Sequence, residues 1–123
     1  MGAENDFVAY LLELLEDYPD VSAKRMFGGY GIFRDGLMFG LVADSILYLK
    51  VDDQNRHEFE TRSLEPFTYE GKGKPMQMSY YQAPEEALDS AEEMLTWAES
   101  GYGAALRAKK TKVKKPKAKK SNN

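Results

Sequence analysis

The sequence predicts an α+β fold in two layers, with an antiparallel sheet of about five strands, three helices in the order α-β-β-β-α-β-β-α, and a disordered basic C-terminal tail. Three observations predict it. Apolar residues recur at helical spacing near the start and again from Leu88 to Tyr102, whereas the stretch between them breaks into short apolar runs separated by turn residues. Asp35-Gly36 lies between two such runs, and Asp-Gly there is a strong hairpin signal, because both central residues of a type I′ turn need positive φ. The segment after Leu106 carries nine basic side chains and no acidic one.

Each element follows from a local pattern. Phe7, Leu11, Leu14, Leu15 and Tyr18 make one stripe, with Asn5 or Asp6 as N-cap and Pro19 past the end, so residues 6–18 read as an amphipathic helix. Met26 to Phe33, Leu37 to Val42 and Ile46 to Val51, punctuated by Asp35-Gly36 and Asp44-Ser45, read as an antiparallel meander. Asp52 or Asp53 then caps a short, mostly polar helix reaching about Arg62, with Phe59 turned inward. Phe67 to Glu70 and Met76 to Tyr81 pair across the loop Gly71-Lys72-Gly73-Lys74-Pro75. Pro84 in a first turn, followed by Glu85 and Glu86 where the helix dipole favours acids, opens the longest helix. Its stripe is Leu88, Ala91, Leu95, Ala98 and Tyr102. Beyond Leu106 lysine alternates with Ala, Thr, Val and Pro116, and nothing apolar repays the entropy of ordering. The expected division is a folded domain over 1–106 and a tail over 107–123.

Charge and cysteine content narrow the function classes. No run reaches the roughly 20 apolar residues of a membrane span, and the acidic start Met1-Gly2-Ala3-Glu4-Asn5-Asp6 lacks the features of a secretion signal. With no cysteine, disulfides, zinc-thiolate sites and thiol nucleophiles are excluded together, and a cytoplasmic location is expected. The formal net charge of −3 conceals a segregation. Arg107, Lys109, Lys110, Lys112, Lys114, Lys115, Lys117, Lys119 and Lys120 leave the body eight basic residues against all 20 acidic ones. An acidic body repels phosphates, so any nonspecific attraction to nucleic acid goes through those nine cations.

A two-residue Asp35-Gly36 turn fixes a register in which Phe33 faces Met38, Ile32 faces Phe39, Gly31 faces Gly40 and Gly29 faces Val42. Gly29, Gly31 and Gly40 then share one face and open a shallow trench, to be filled by tight packing of the first or last helix or by a ligand. A phosphate cradle does not fit, because these glycines lead into a strand rather than a helix N-terminus. Gly29-Tyr30-Gly31-Ile32-Phe33 has a superficial likeness to the aromatic strand of RNA-recognition domains. Gly28 and Ile32 depart from that motif, so Tyr30, Phe33 and Phe39 read as sheet and core residues.

No set of catalytic, cofactor-binding or metal-binding residues stands out. His57 is the sole histidine, between Arg56 and Glu58, and has no second histidine to share a metal or relay a proton. Asp52-Asp53, Glu85-Glu86 and Glu92-Glu93 are adjacent pairs that diverge on a helix. Ser22, Ser45, Ser79 and Ser90 lack a partner base in any nucleophile motif. Lys24, Arg25, Lys72 and Lys74 read as ordinary surface cations able to touch an acidic partner.

The run Arg25-Met26-Phe27-Gly28-Gly29-Tyr30-Gly31-Ile32-Phe33, then Asp35-Gly36-Leu37-Met38-Phe39 and Leu47-Tyr48-Leu49-Lys50, resembles the N-terminal domain of TfoX/Sxy proteins, regulators of bacterial competence. Phe67-Thr68-Tyr69, Lys74-Pro75, Met78-Ser79-Tyr80-Tyr81, Ala83-Pro84-Glu85 and Trp97-Ala98 extend the resemblance over about residues 5 to 106. It implies an α+β domain with an antiparallel sheet, no catalytic residue to carry over, and a role in activating DNA-uptake genes. In some members that role is exercised with the cyclic-AMP receptor protein. Met26, Phe27, Gly28, Gly29, Tyr30 and Gly31 are taken as structural residues of the motif. Longer members continue into a helical C-terminal domain, where this chain has its lysine-rich stretch.

The expected function is a non-enzymatic regulatory or adaptor protein whose body contacts a protein partner, with nonspecific nucleic-acid attraction through the tail and no membrane association. The alternative is a small-molecule or nucleotide sensor using the glycine trench with Tyr30, Phe39, Tyr80 or Tyr81.

Overall fold

The structure is a computed structural model that describes residues 3–26, 28–71 and 74–121, with the side chains of 3, 4, 69–71, 74–77 and 111–121 outside that description. The elements are α1 (Ala3–Leu14), β1 (Val21–Met26), β2 (Gly29–Arg34), β3 (Leu37–Ala43), β4 (Ile46–Lys50), α2 (Arg56–Glu60), β5 (Pro66–Gly71), β6 (Lys74–Gln82) and α3 (Ala91–Ser121). A 3-10 turn at Glu85–Leu88 precedes α3. All strand pairs are antiparallel, in the order β1-β2-β3-β4-β6-β5. The predicted α+β class and helix count hold, with six strands in place of about five. The extra strand, β1, pairs along its length with β2. It alternates apolar and polar residues only from Val21 to Lys24 before Arg25 breaks the pattern, a run too short at a sheet edge to stand out as a strand.

The helices cover one face of the sheet. Leu11 and Leu15, Ile32, Phe39, Val42, Leu47 and Leu49, and Met94, Ala98 and Ala105 build one core. Gly101 lets α3 lie close, since a Cβ there would stand 3.2 Å from the Phe39 carbonyl oxygen and 3.3 Å from Leu49 Cβ. Phe59, the inward residue of α2, is fully buried and meets the Trp97 ring edge-on at 5.2 Å. Burying such a side chain contributes about 1.5–3 kcal/mol. Tyr18, Phe39 and Tyr102 form a triangle of edge-on rings 6.0–6.3 Å apart. The Arg34 guanidinium lies 4.4 and 4.7 Å from the Tyr18 and Tyr102 ring centroids, and its Nε donates to the Pro19 carbonyl at 3.0 Å. Burial raises the Tyr18 phenol above its ordinary pKa, and Arg34 opposes that rise.

Several boundaries differ from expectation. The first helix begins at Ala3, so Asn5 is not its cap; its side chain accepts the Tyr30 hydroxyl instead. The second helix starts at Arg56 rather than behind Asp52, whose carboxylate accepts the Gln54 and Asn55 amides at 3.0 and 3.2 Å in a turn before it. The last helix does not open at Pro84: the chain breaks at Asp89-Ser90, where Ser90 Oγ accepts the Glu93 amide at 3.2 Å as an N-cap. Nor does it stop at Leu106. Ala108 is half-buried, Arg107 is paired, and the backbone of α3 runs to Ser121. Alanine and lysine are good helix formers and extending an existing helix needs no new nucleus, which carries it past Leu106, while Pro116 works against it further on. No helix of the described residues is long and apolar enough to cross a membrane.

Candidate functional site

The hairpin register places the trench residues differently from expectation. Phe33 pairs with Met38 as predicted, but a bulge between Ile32 and Phe33 sets Ile32 opposite Gly40, Gly31 opposite Leu41 and Tyr30 opposite Val42. The extra residue on β3 absorbs strand twist, and it turns Gly40 toward the helices, beside Ile32 and Leu47. Gly29 and Gly31 remain on the face that carries no helix among the described residues. The expected packing of a helix into the glycines therefore does not occur. A Cβ on Gly29 would collide with the Val42 backbone carbonyl, so this position needs glycine for strand approach. A Cβ on Gly31 would meet Met26 Sδ at 2.5 Å, Phe33 Cε1 at 2.9 Å and Met38 Sδ at 3.1 Å. Gly28 takes φ +78° in the β1–β2 turn, where a side chain would be strained. Phe27 of the motif lies outside the described residues.

Beside those glycines is an apolar groove of about 160 Å³, walled chiefly by Met26, Met38, Leu41, Phe67 and Met78. Every lining residue comes from a strand. None carries a charge, so the groove holds no partner for a phosphate, and the nucleotide form of the sensor expectation finds no anion site here. Phe67 also meets the Tyr48 ring at 5.0 Å. Phe39 lies in the core, and Tyr30 is tied to Asn5, so the aromatic residues of the hairpin do not form a base-stacking platform. Tyr80 is buried, which pushes its phenol up to about 12. Leu41, Phe67 and Met78 were not legible as a site, because only the curl of the sheet brings them together.

A second polar constellation ties the loop after β4 to α3. Arg107, expected in the tail, donates to Asp52 through Nε at 2.5 Å and Nη2 at 3.0 Å. That fork of hydrogen bonds holds the Asp52 carboxyl below the ordinary carboxylate value, against the opposing effect of burial. Asn55 accepts the Asp52 amide at 2.8 Å and donates to the Lys50 carbonyl at 3.1 Å. Its amide also reaches the Ser100 carbonyl and hydroxyl, at 3.2 and 3.0 Å. Among the described residues Asn55 is the one buried polar side chain.

The other candidates are dispersed. Lys109 and Lys110 are exposed on α3, while the side chains of Lys112, Lys114, Lys115, Lys117, Lys119 and Lys120 lie outside the described residues. Lys24 is exposed on β1, and Arg25 sits 5.7 Å from the Tyr30 ring. Lys72 lies outside the described residues, as does the Lys74 side chain. His57 is exposed on α2. Among the described residues no group of three or more His, Cys, Asp or Glu is placed to hold a metal.

Residues 13–105 match the model of the TfoX N-terminal domain. The chain is 24% identical over 100 residues to Protein Sxy of Escherichia coli (strain K12), an alignment covering 81% of this chain and 48% of that protein. It thus spans about half the length of that relative. With the match extending from within α1 well into α3 and taking in the whole sheet, the chain belongs to the TfoX N-terminal domain family.

Proposed function

We propose that this chain is a non-enzymatic regulator of competence gene expression that works through protein contacts of its acidic body, with the basic end of α3 adding nonspecific attraction to nucleic acid. A transcription regulator such as the cyclic-AMP receptor protein is the class of partner that fits this role. The observation that carries the reading is the division of charge within a family of regulators: nine cations follow Leu106, and the preceding body has 20 acidic residues against eight basic ones. Phosphates are attracted by the cations and repelled by the acidic body.

The Asp52 pair removes Arg107 from the free cations, leaving eight lysines beyond it. If about six engage phosphates, log K for duplex DNA falls with log salt at a slope of about −5. A chain ending at Lys110 keeps the Arg107 pair but only two of those lysines, which lowers the slope to about −2. A gel-shift salt titration of both forms measures the difference. Equal slopes would remove the basic segment from the mechanism.

A further inference from the structure

We infer that the groove on the helix-free face binds a small uncharged aromatic molecule, one ring or a fused ring pair in size. Shape is the first argument. Met26 belongs to β1 and Phe67 to β5, the two opposite edges of the sheet, yet both line one cavity. Strands about 4.8 Å apart would hold the edges of a flat six-stranded sheet about 24 Å from each other. The sheet therefore curls around the groove and makes a concavity rather than a plane.

Size selects the occupant. A volume of about 160 Å³ is close to the apolar cavities of about 150 Å³ that hold benzene. A stable interface with a second protein needs roughly 800 Å² from each side, far more than a ring-sized hollow presents. Chemistry then selects an aromatic ring. Three thioethers, those of Met26, Met38 and Met78, line the site, and two of the sulfurs converge on the bare Cα of Gly31. Thioethers are adaptable walls and make favourable contacts with ring edges, and Phe67 adds an aromatic wall. The lining lacks charge and the surrounding body is acidic, so a carboxylate or phosphate on the ligand has no partner and is repelled. This site is independent of the regulator reading, because its test makes no use of nucleic acid or a protein partner.

The test uses the full chain with its methionine methyl groups labelled with carbon-13, titrated with indole to about 5 mM, a range suited to fragments of this size. Saturable shifts of the Met26, Met38 and Met78 methyls are expected, with the methyl of buried Met94 unmoved. Ala43→Phe, which fills the groove from its own wall, raises the apparent Kd by about tenfold or more. Met78→Lys, at a side chain already 37% exposed, does the same by charging the rim without touching the core. Indole-3-acetate binds at least about tenfold more weakly than indole. Absence of a saturable shift, or binding indifferent to both substitutions, overturns the inference. Tighter binding of a tryptophan-bearing peptide amide than of indole also overturns it, by assigning the groove to a partner's side chain.

Discussion

Replacing Asn55 by alanine tests how the loop after β4 holds α3. Asn55 is 4% exposed and its side chain makes four hydrogen bonds, to the Asp52 amide, the Lys50 carbonyl and two acceptors on Ser100. Ser100 Oγ keeps a second partner, since it also donates to Glu58 Oε1 at 3.2 Å, so the truncation falls hardest on the Asp52 amide. A buried polar group left without a partner costs about 1–3 kcal/mol. The expected loss for Asn55→Ala is about 1–3 kcal/mol, out of about 5–15 kcal/mol for a whole domain's stability. Asn55→Asp keeps the acceptor for the Asp52 amide but turns oxygens toward two carbonyls, and at neutral pH it destabilises at least as much. Urea unfolding followed by the fluorescence of the single tryptophan, Trp97, which packs on Phe59, reads both values. A loss below about 1 kcal/mol for Asn55→Ala, or wild-type stability for Asn55→Asp, refutes the reasoning.

Two further predictions concern the hairpin and the ion pair. Gly29→Ala forces its methyl onto the Val42 carbonyl and destabilises the domain by about 2–5 kcal/mol, whereas Gly31→Ala displaces only side-chain ends, those of Met26 and Met38 and the Phe33 ring edge, and destabilises by about 1 kcal/mol; equal urea midpoints for the two variants would contradict this. Asp52→Asn loses a pair whose side chains are 22% and 36% exposed, so its deficit at pH 7 is below about 1 kcal/mol. Because Arg107 holds Asp52 below its ordinary 3.8, the stabilisation is present above that value and is lost as pH falls through the folded-state pKa. The gap between wild type and variant should therefore narrow by pH 3, as urea unfolding at the two pH values measures, and a gap as wide at pH 3 as at pH 7 would exclude the pair as its source.

Much of the architecture was legible because it is local. Asp35-Gly36 marked its turn, with both residues at positive φ, while the predicted stripe of the last helix holds only in part: Ala98 is buried and Leu95 and Tyr102 pack against the core, but Ala91 is exposed and the burial falls on Met94 and Trp97. The failures came where a longer-range constraint decided. A single bulge undid the register beyond Phe33 and moved Gly40 to the opposite face, which no pattern of period two can announce. Arg107 read as tail because it begins a run of like charges, yet its partner Asp52 lies 55 residues earlier. The groove walls come from β1, β2, β3, β5 and β6, so their proximity follows from sheet curvature and not from spacing.

The span of α3 carries a mechanical consequence. A helix of 31 residues, about 46 Å of rise with Pro116 five residues from its end, runs from the hydrophobic interior at Met94 to the cationic end of the chain. Whatever clamps the far end also suppresses fraying of the near end, where Gly101 rests on Phe39 and Leu49. Polyanion capture and resistance to melting are thereby coupled, so that heparin should raise the melting temperature of the full chain and leave a chain ending at Lys110 almost unchanged.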